Sequence, residues 1–581
     1  MSTAAIRTIC VRWLGVVLLY HGLVACAFAA APGPVEPVAD TLYFGGLVLT
    51  MDAQGRVVEA VAVRDGRILA TGSRAGMERL RGPDTRVRAL EGRALLPGFI
   101  DPHSHLMQAV AFADWANVTQ PPVGSVDSIP SLLRVLQAHA AEKRIPPGDW
   151  VQGFGYAREG LAEGRELTRS DLDAVFPDNP VMLLHVSGHG AVFNSRAFAL
   201  AGLDAATPTP AGGVIVRLPG SNEPAGLVME TALFPFFRVL PAPSEQASLA
   251  ALRTALARYA ENGYTTVQDG ATDARGLALL RGAAARGELP LDVVSLPVAM
   301  GQTEARALAE QRFGVYEGRF KLGGVKLLLD GSPQGRTAWF TQPMLTGGPG
   351  GEPDWHGKPM IDPAEYARAV AELYPRGIQI WTHTNGDAAI DALIAAHEAL
   401  GAKASDDHRD IAIHSQFVRA DQLDAYVRLG IAPSFFSNHA FYWGEVHRRN
   451  LGEARAAFLS PLAAARARGL RFSNHTDAMV TPLDPFFTLW TATNRVTRDG
   501  RVLGPEQRID TLAALRAITI DAAWTYHEER DKGSIEPGKR ADFVIVDRNP
   551  LALPSADLRS LRVLATVKDA RVVYGAVMER R

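Results

Sequence analysis

Cysteine is nearly absent from this chain. The 581 residues include only Cys10 and Cys26, and both lie at the N-terminal end. Beyond Cys26 the chain can therefore form no disulfide bond and hold no metal ion through thiolate. A metal site in the main body must use histidine, carboxylate or modified lysine side chains.

The sequence also lacks concentrated charge and long apolar runs in its main body. Lysine and arginine total 60 against 62 aspartates and glutamates, which gives a formal net charge of −2. No block of basic residues is present, which argues against a nucleic-acid partner or an anionic membrane surface. After residue 40, no apolar stretch is long enough to span a bilayer. The composition, 47% hydrophobic, is typical of a large globular protein.

Residues 1–31 have the pattern of a secretory signal peptide. Two arginines precede an apolar stretch at 13–24, and small residues follow it. The tract "AFA" at 27–29 suits ordinary signal peptidase and predicts a mature chain that begins near Ala30. The alternative is "LVAC", which resembles a bacterial lipobox and would leave a lipid anchor on Cys26. We expect an exported protein, periplasmic or secreted, and favour the first cleavage pattern over the lipoprotein.

The rest of the chain shows two patterns. Residues 41–95 and 533–581 alternate apolar runs with turn residues, which predicts a small composite β-sandwich domain built from both chain ends. Residues 96–532 alternate short apolar runs with helical patterns, which favours a parallel sheet with helices outside. Eight such runs predict an α/β fold of the (β/α)8 TIM-like barrel type. The predicted strands are 98–101, 265–270, 292–298, 324–331, 378–384, 411–416, 431–437 and 471–477.

One region does not fit a single β-α unit. It runs from about residue 106 to residue 250, directly after the first predicted strand. We predict a large insertion into the barrel here, and a separate domain is the alternative.

Chemically active side chains follow the predicted strands. The first strand leads into "LPGFIDPHSHL", whose His103 and His105 are two residues apart and can point the same way from an extended segment. Lys326 lies in the otherwise apolar fourth strand, where an unpaired ammonium group is costly. Three later strands close on His383, His414 and Asp477. Because active sites of such barrels form at the carboxyl ends of the strands, we expect these six residues to converge on a metal site.

These motifs resemble those of the amidohydrolase superfamily. "LPGFIDPHSHL" is similar to its strand-one metal motif, and "GSIEPGKRADFVIVD" at 533–547 is similar to the segment that returns to the small β domain. "GVKLLLDGSPQGRTA", "HTNGDAAID", "IHSQ" and "SGHGAVFNS" resemble the branch that contains N-substituted formamide deformylases. The resemblance extends from about residue 41 to the C-terminus.

The resemblance implies a centre of two divalent metal ions, usually zinc. It assigns His103 and His105 to the more buried ion. It assigns His383 and His414 to the other ion, and a Lys326 carboxylated by carbon dioxide would bridge the two. Charge supports this assignment, because a carboxylated lysine offsets part of the four positive charges whereas an ammonium group adds repulsion.

The resemblance also implies a catalytic role for Asp477, which would bind the first ion and act as the base. We expect His439, in "FFSNHAFYW" after the seventh strand, to help to bind the carbonyl oxygen of the substrate, and a structural loop histidine is the alternative. The chain departs from the branch at two places. It has His475 before Thr-Asp where Gly-Ser-Asp is common, and Thr384 and Asn385 follow the strand-five histidine where Ala-Ile is common.

The expected function is hydrolysis of a carbon–nitrogen bond other than a peptide bond, in a small N-substituted amide, by a hydroxide that the metals activate. An esterase or lactonase with the same centre stays open. A deaminase of the same superfamily and a non-catalytic exported binding protein are further alternatives. Lys326 argues against the deaminase, and the complete ligand set argues against the binding protein. The expected partner is a small-molecule substrate, and the oligomeric state is left open.

Overall fold

The structure is a computed structural model that describes residues 37–580. The predicted signal peptide, both cleavage patterns and both cysteines lie outside the described residues. Within the described part, no helix is long and apolar enough to cross a membrane.

All eight predicted parallel strands are present, and each is mostly or fully buried. Their bounds are β1 Phe99–Ile100, β2 Tyr264–Thr272, β3 Asp292–Pro297, β4 Val325–Leu328, β5 Ile380–Thr384, β6 Ile411–His414, β7 Ala432–Phe435 and β8 Ser473–Asn474. Neighbours in the chain pair in parallel, β1 to β3 in one sheet and β4 to β8 in another. A short strand, Phe320–Leu322, extends the first sheet, and a bridge between Val298 and Lys326 joins it to the second.

The described strands do not close into one continuous barrel. β1 and β8 are each two residues long and do not pair with each other. Instead, the loops that follow them meet, because the His105 N–H donates to the Ala478 carbonyl at 2.8 Å. The sequence predicts a barrel closed by strand pairing between β1 and β8. At this junction, which we call the seam, the structure instead has a contact between two loops that contain site residues.

Helices surround the parallel strands and present apolar faces to them. The helix Pro363–Leu373, for example, starts at the cap Asp362 and buries Tyr366, Ala369 and Val370. The other helices from the first strand onward are Leu106–Ala111, Ile129–Lys143, Arg169–Asp173, Ser195–Ala201, Phe234–Val239, Glu245–Glu261, Ala274–Ala285, Gln302–Leu308, Asp387–Ala399, Ala420–Leu429, His439–Leu451, Glu453–Ala457, Leu462–Ala467, Pro485–Asn494, Thr511–Ala517 and Ile520–Thr525.

Strands from both chain ends pair in one nine-stranded sheet, where the sequence predicts a composite domain. Ala94–Pro97 runs antiparallel to Phe543–Val546 and so joins the two ends. The sheet also contains Ala39–Leu49, Val57–Arg64, Arg67–Gly72, Arg81–Ala89, Val563–Lys568, Arg571–Gly575 and Met578–Arg580. Residues from Val38 onward form one compact unit, so a separate β-sandwich domain stays a prediction.

The region predicted as an insertion contains a six-stranded mixed sheet. Its strands are Ala116–Asn117, Val151–Tyr156, Val181–His185, Gly190–Phe193, Gly213–Arg217 and Pro224–Glu230. Its apolar core is shared with Ala338, Phe417 and Ala440, which follow β4, β6 and β7. The insertion therefore packs over the carboxyl ends of the strands, where the candidate site lies.

Candidate metal centre

The two histidines of the first motif face the same centre from the loop after β1. His103 is fully buried, and its Nδ1 lies 2.6 Å from Gln268 Oε1. That contact leaves Nε2 facing inward, 3.4 Å from Lys326 Nζ. His105 Nε2 lies 3.2 Å from Asp477 Oδ1. Burial, followed by the nearby Lys326 charge, holds the pKa of His103 well below its usual value, so its imidazole is neutral and can act as a ligand.

Lys326 is a buried amine without a carboxylate contact in the described part of the chain. Its side chain is 1% exposed, and the only polar contact of Nζ among these residues is His103. Burial lowers the pKa of Lys326 to about 7, against the opposing charges of Asp477 and Asp269. Such an amine is partly neutral at pH 7, which an exposed lysine is not.

His383 and His414 end neighbouring strands and point their rings at each other. His383 Nδ1 and His414 Nε2 are 3.1 Å apart. The far nitrogen of His383, Nε2, lies 3.3 Å from the Gly331 carbonyl. Burial is the largest cause that holds the pKa of both rings well below the usual value. Both are therefore neutral imidazoles with nitrogen lone pairs available to a metal ion.

Asp477 joins the two groups of histidines. Its Oδ1 lies 3.2 Å from His105 Nε2 and 3.8 Å from His103 Nε2, and its Oδ2 lies 3.8 Å from His414 Nδ1. Burial alone would raise the pKa of Asp477, but the His105 contact and the surrounding positive charges lower it. Oδ1 is buried, yet among residues 37–580 it has no hydrogen-bond partner of good geometry. An unpaired buried carboxylate oxygen is expensive unless a cation completes its environment.

These residues fit a metal ion. Two imidazole nitrogens bound to one tetrahedral zinc at ~2.0–2.1 Å lie about 3.3 Å apart. The nitrogen pair of His383 and His414, at 3.1 Å, matches this spacing. Ligand atoms of His103, His105 and Asp477 lie within 4.8 Å of one another, and so do those of His414, His475 and Asp477. The structure thus brings together all six residues that the sequence predicts as ligands, although their binding of metal stays a proposal.

His439, the predicted carbonyl-binding residue, lies one ring further out. It begins the helix after β7, is 3% exposed and packs on Phe436 with ring centres 4.6 Å apart. Phe436 in turn packs on His475 at 4.9 Å. His439 Nδ1 lies 3.0 Å from His447 Nε2. His439 therefore borders the centre and is not one of the residues that contact each other inside it.

Two histidines at the site, His475 and His189, were not among the predicted ligands. His475 lies inside the centre, with Nε2 3.0 Å from His414 Nδ1. From the insertion, His189 packs on His383 at 4.8 Å and bonds Glu230 through Nδ1 at 2.9 Å. The sequence signal for His189 was the motif "SGHGAVFNS". Because this motif lies outside the eight predicted strands, the sequence did not indicate where His189 lies relative to the site.

A cavity of about 570 Å³ opens beside the centre. Ala478 and Met479, which directly follow Asp477, form part of its wall. The remaining wall mixes polar and charged side chains with an aromatic group that includes Phe112, Trp115, Phe154, Tyr442 and Trp443. Its size and lining suit a small organic molecule with an apolar group.

Known proteins of the same architecture share this arrangement of strands. The crystal structure of an uncharacterized metal-dependent hydrolase from Pyrococcus furiosus matches with a TM-score of 0.68 at 24% identity, over 88% of this chain and 99% of that one. An adenosine deaminase from Xanthomonas campestris, crystallised with bound zinc, matches with a TM-score of 0.52 at 15% identity, over 93% of each chain. These similarities define the class of the fold, an α/β fold of TIM-barrel type.

Sequence comparison narrows the class to one family. The model of the amidohydrolase family matches residues 86–574. The N-substituted formamide deformylase of Arthrobacter pascens is 30% identical over 554 residues, which cover 92% of this chain and 98% of that protein. The chain belongs to the amidohydrolase family. It is accordingly a hydrolase of carbon–nitrogen bonds other than peptide bonds.

Proposed function

We propose that this enzyme hydrolyses an N-substituted amide whose apolar substituent occupies the aromatic cavity beside Asp477. The observation that carries the proposal is the convergence of four histidines, a buried lysine and an unpaired carboxylate next to that cavity. The relative from Arthrobacter pascens, named for its action on N-substituted formamides, supports this substrate class.

The residues present would hold two divalent ions, which we propose to be zinc. His103, His105 and Asp477 would hold one, and His383 and His414 the other. When bound, the ions would lower the pKa of water toward ~7 and polarise the amide carbonyl.

Lys326 would bridge the ions as a carboxylated lysine. Carbon dioxide reacts with a neutral amine, and burial already lowers the pKa of Lys326 to about 7. The product carries a negative charge in place of a positive one. This change suits a position 3.4 Å from His103 Nε2, where an ammonium group would repel a cation.

Asp477 would move the proton of the reaction. Its lowered pKa keeps it ionised at neutral pH, and its unpaired Oδ1 can accept the proton of the attacking water. The same carboxyl group can then donate that proton to the leaving nitrogen, which departs as an amine.

His439 would donate a hydrogen bond to the substrate carbonyl oxygen. His447 Nδ1 is buried without a partner in the described part of the chain, so its proton is best placed on Nε2, which faces His439 Nδ1 at 3.0 Å. His439 must then carry its own proton on Nε2. This leaves an N–H at the border of the centre.

We also propose that the enzyme is exported and that the mature chain begins near Ala30. The "AFA" tract at 27–29 supports this position. Intact-mass measurement of the exported protein tests it. A diacylglycerol mass that Cys26→Ser abolishes would instead establish the lipoprotein.

A substrate panel tests the proposed reaction. Purified protein supplied with zinc and bicarbonate is assayed against formamides and other N-acyl amines with aromatic or methyl substituents, cyclic imides and matched esters. We expect N-substituted amides with aromatic groups to have the highest kcat/KM. Hydrolysis of esters alone would contradict the proposal.

A further inference from the structure

His475 occupies a fixed position in the centre. It directly follows β8, is 1% exposed and packs against Phe436. Its two ring nitrogens have separate partners. Nδ1 lies 2.9 Å from Ser434 Oγ, and Nε2 lies 3.0 Å from His414 Nδ1.

The partners of His414 restrict its tautomer. A ring can offer only one nitrogen to a given ion. His414 Nε2 faces His383 Nδ1 at 3.1 Å, so this is the nitrogen that a shared ion would use. His414 Nδ1 must then carry the proton, and it needs an acceptor because it is buried.

We propose that His475 is that acceptor and acts as a positioning residue, which holds His414 with its proton on Nδ1 and its Nε2 free to bind an ion. His475 can accept at Nε2 because its own proton sits on Nδ1, where Ser434 Oγ is the acceptor. His414 would thus donate to His475, and His475 to Ser434, in one directed chain of hydrogen bonds that leaves His414 Nε2 free for an ion. Partners of this kind orient histidine ligands and raise their basicity.

The alternative is that His475 is itself a ligand, together with His414 and Asp477. In that case His414 would bind through Nδ1 and turn Nε2 away from an ion shared with His383. The 3.1 Å approach of those two rings favours the positioning role. The inference rests on the proposed function, because it assumes that His414 binds metal.

Zinc titration of the metal-free protein tests the inference. Wild type is compared with His475→Ala and His475→Gln by isothermal calorimetry, and cobalt absorption reports the coordination of each site. We expect His475→Ala to weaken one of two equivalents by about 10–100-fold. His475→Gln should restore most of that loss, since the glutamine oxygen can accept from His414 Nδ1. His397→Ala, which removes a buried imidazole bonded to Asp410 outside the centre, should leave both affinities unchanged.

Each other outcome is decisive. If His475→Ala keeps both zinc affinities, His475 only fills space and the inference is wrong. If His475→Gln binds as weakly as His475→Ala and one cobalt site changes coordination number, His475 is a ligand. A wild-type protein that binds no zinc would overturn the proposed function itself, which separates the two failures.

Discussion

Two lysines of this enzyme are almost fully buried, Lys326 at 1% and Lys532 at 2% exposure, and they have opposite surroundings. Lys532 Nζ lies 2.7 Å from Asp292 Oδ2 and 3.0 Å from Glu528 Oε2. Lys326 Nζ has only an imidazole nitrogen, 3.4 Å away, among the described residues. Burial opposes the charge of both. The two carboxylates outweigh burial at Lys532 and raise its pKa well above the usual value, whereas the pKa of Lys326 falls to about 7.

The difference teaches how the fold separates stability from chemistry. Near the amino ends of β2 and β3, a buried charge is compensated by fixed partners and stays charged. At the centre, the Lys326 amine has no carboxylate partner and Asp477 Oδ1 has no hydrogen bond of good geometry among residues 37–580. Unpaired buried groups are costly, and they concentrate at sites where a ligand completes them.

The largest expected effect is the loss of activity when Lys326 is replaced. Lys326→Ala should lose bound metal and reduce hydrolysis to background, because the proposed bridging position would be empty. Short carboxylic acids should restore part of both, since a small carboxylate can occupy that position. Elemental analysis and rate measurements with and without added acetate or propionate check this. Full metal content and full rate in Lys326→Ala would rule out a carboxylated lysine bridge.

The next effect concerns proton transfer at Asp477. Asp477→Asn keeps the shape and loses the basicity, so kcat should fall by ~10²–10⁴-fold. Metal content should fall only modestly, because four histidines and Lys326 remain, and KM should change less than kcat. The matched variant is His475→Asn. If it is inactive while Asp477→Asn keeps a near wild-type kcat, the base is His475.

Much of the centre could be predicted from sequence because each ligand lies within or just after a short predicted strand. The apolar run before His414, for example, is long enough to predict a strand. Because side chains at the carboxyl ends of the strands form the active site of such a barrel, the end of this strand predicts the location of His414. The spacing of His103 and His105 gave their common direction for the same reason.

Other features of the site could not be predicted, because they depend on contacts between segments that are distant in the sequence. A local sequence pattern contains no information about such contacts. The seam between β1 and β8 is a hydrogen bond from His105 to Ala478, 373 residues apart by their numbers. The site of His189 depends on how the insertion packs, and the role of His475 depends on Ser434 in the neighbouring strand. These relations become visible only in three dimensions.

The third effect is on stability. Lys532→Met leaves Asp292 and Glu528 with less compensation in a buried site, so the free energy of unfolding should fall by about 3–5 kcal/mol. Activity of the folded fraction should stay near wild type. Lys326→Met removes an unpaired amine, and the metal-free protein should be equally or more stable. Denaturant unfolding of both metal-free variants measures this, and the opposite order of stabilities would refute the comparison.

The smallest effect per unit of change is a pH dependence of stability that belongs to Lys326 alone. Its pKa is about 7 in the folded metal-free protein and near ~10.4 in an unfolded chain. Between these values the folded state binds fewer protons than the unfolded state, so stability rises with pH by up to about 1.4 kcal/mol per unit. Below pH 7 both states are protonated and the full cost of a buried ammonium is present.

Subtraction of Lys326→Met isolates this contribution from the other groups that titrate. We measure the free energy of unfolding of both metal-free proteins from pH 6 to pH 10. The difference between wild type and variant should be constant below about pH 7 and should change with pH above it, in favour of wild type. A difference that stays constant across the whole range would show that Lys326 keeps an ordinary pKa. Its burial would then be compensated as that of Lys532 is, and the contrast between the two lysines would be lost.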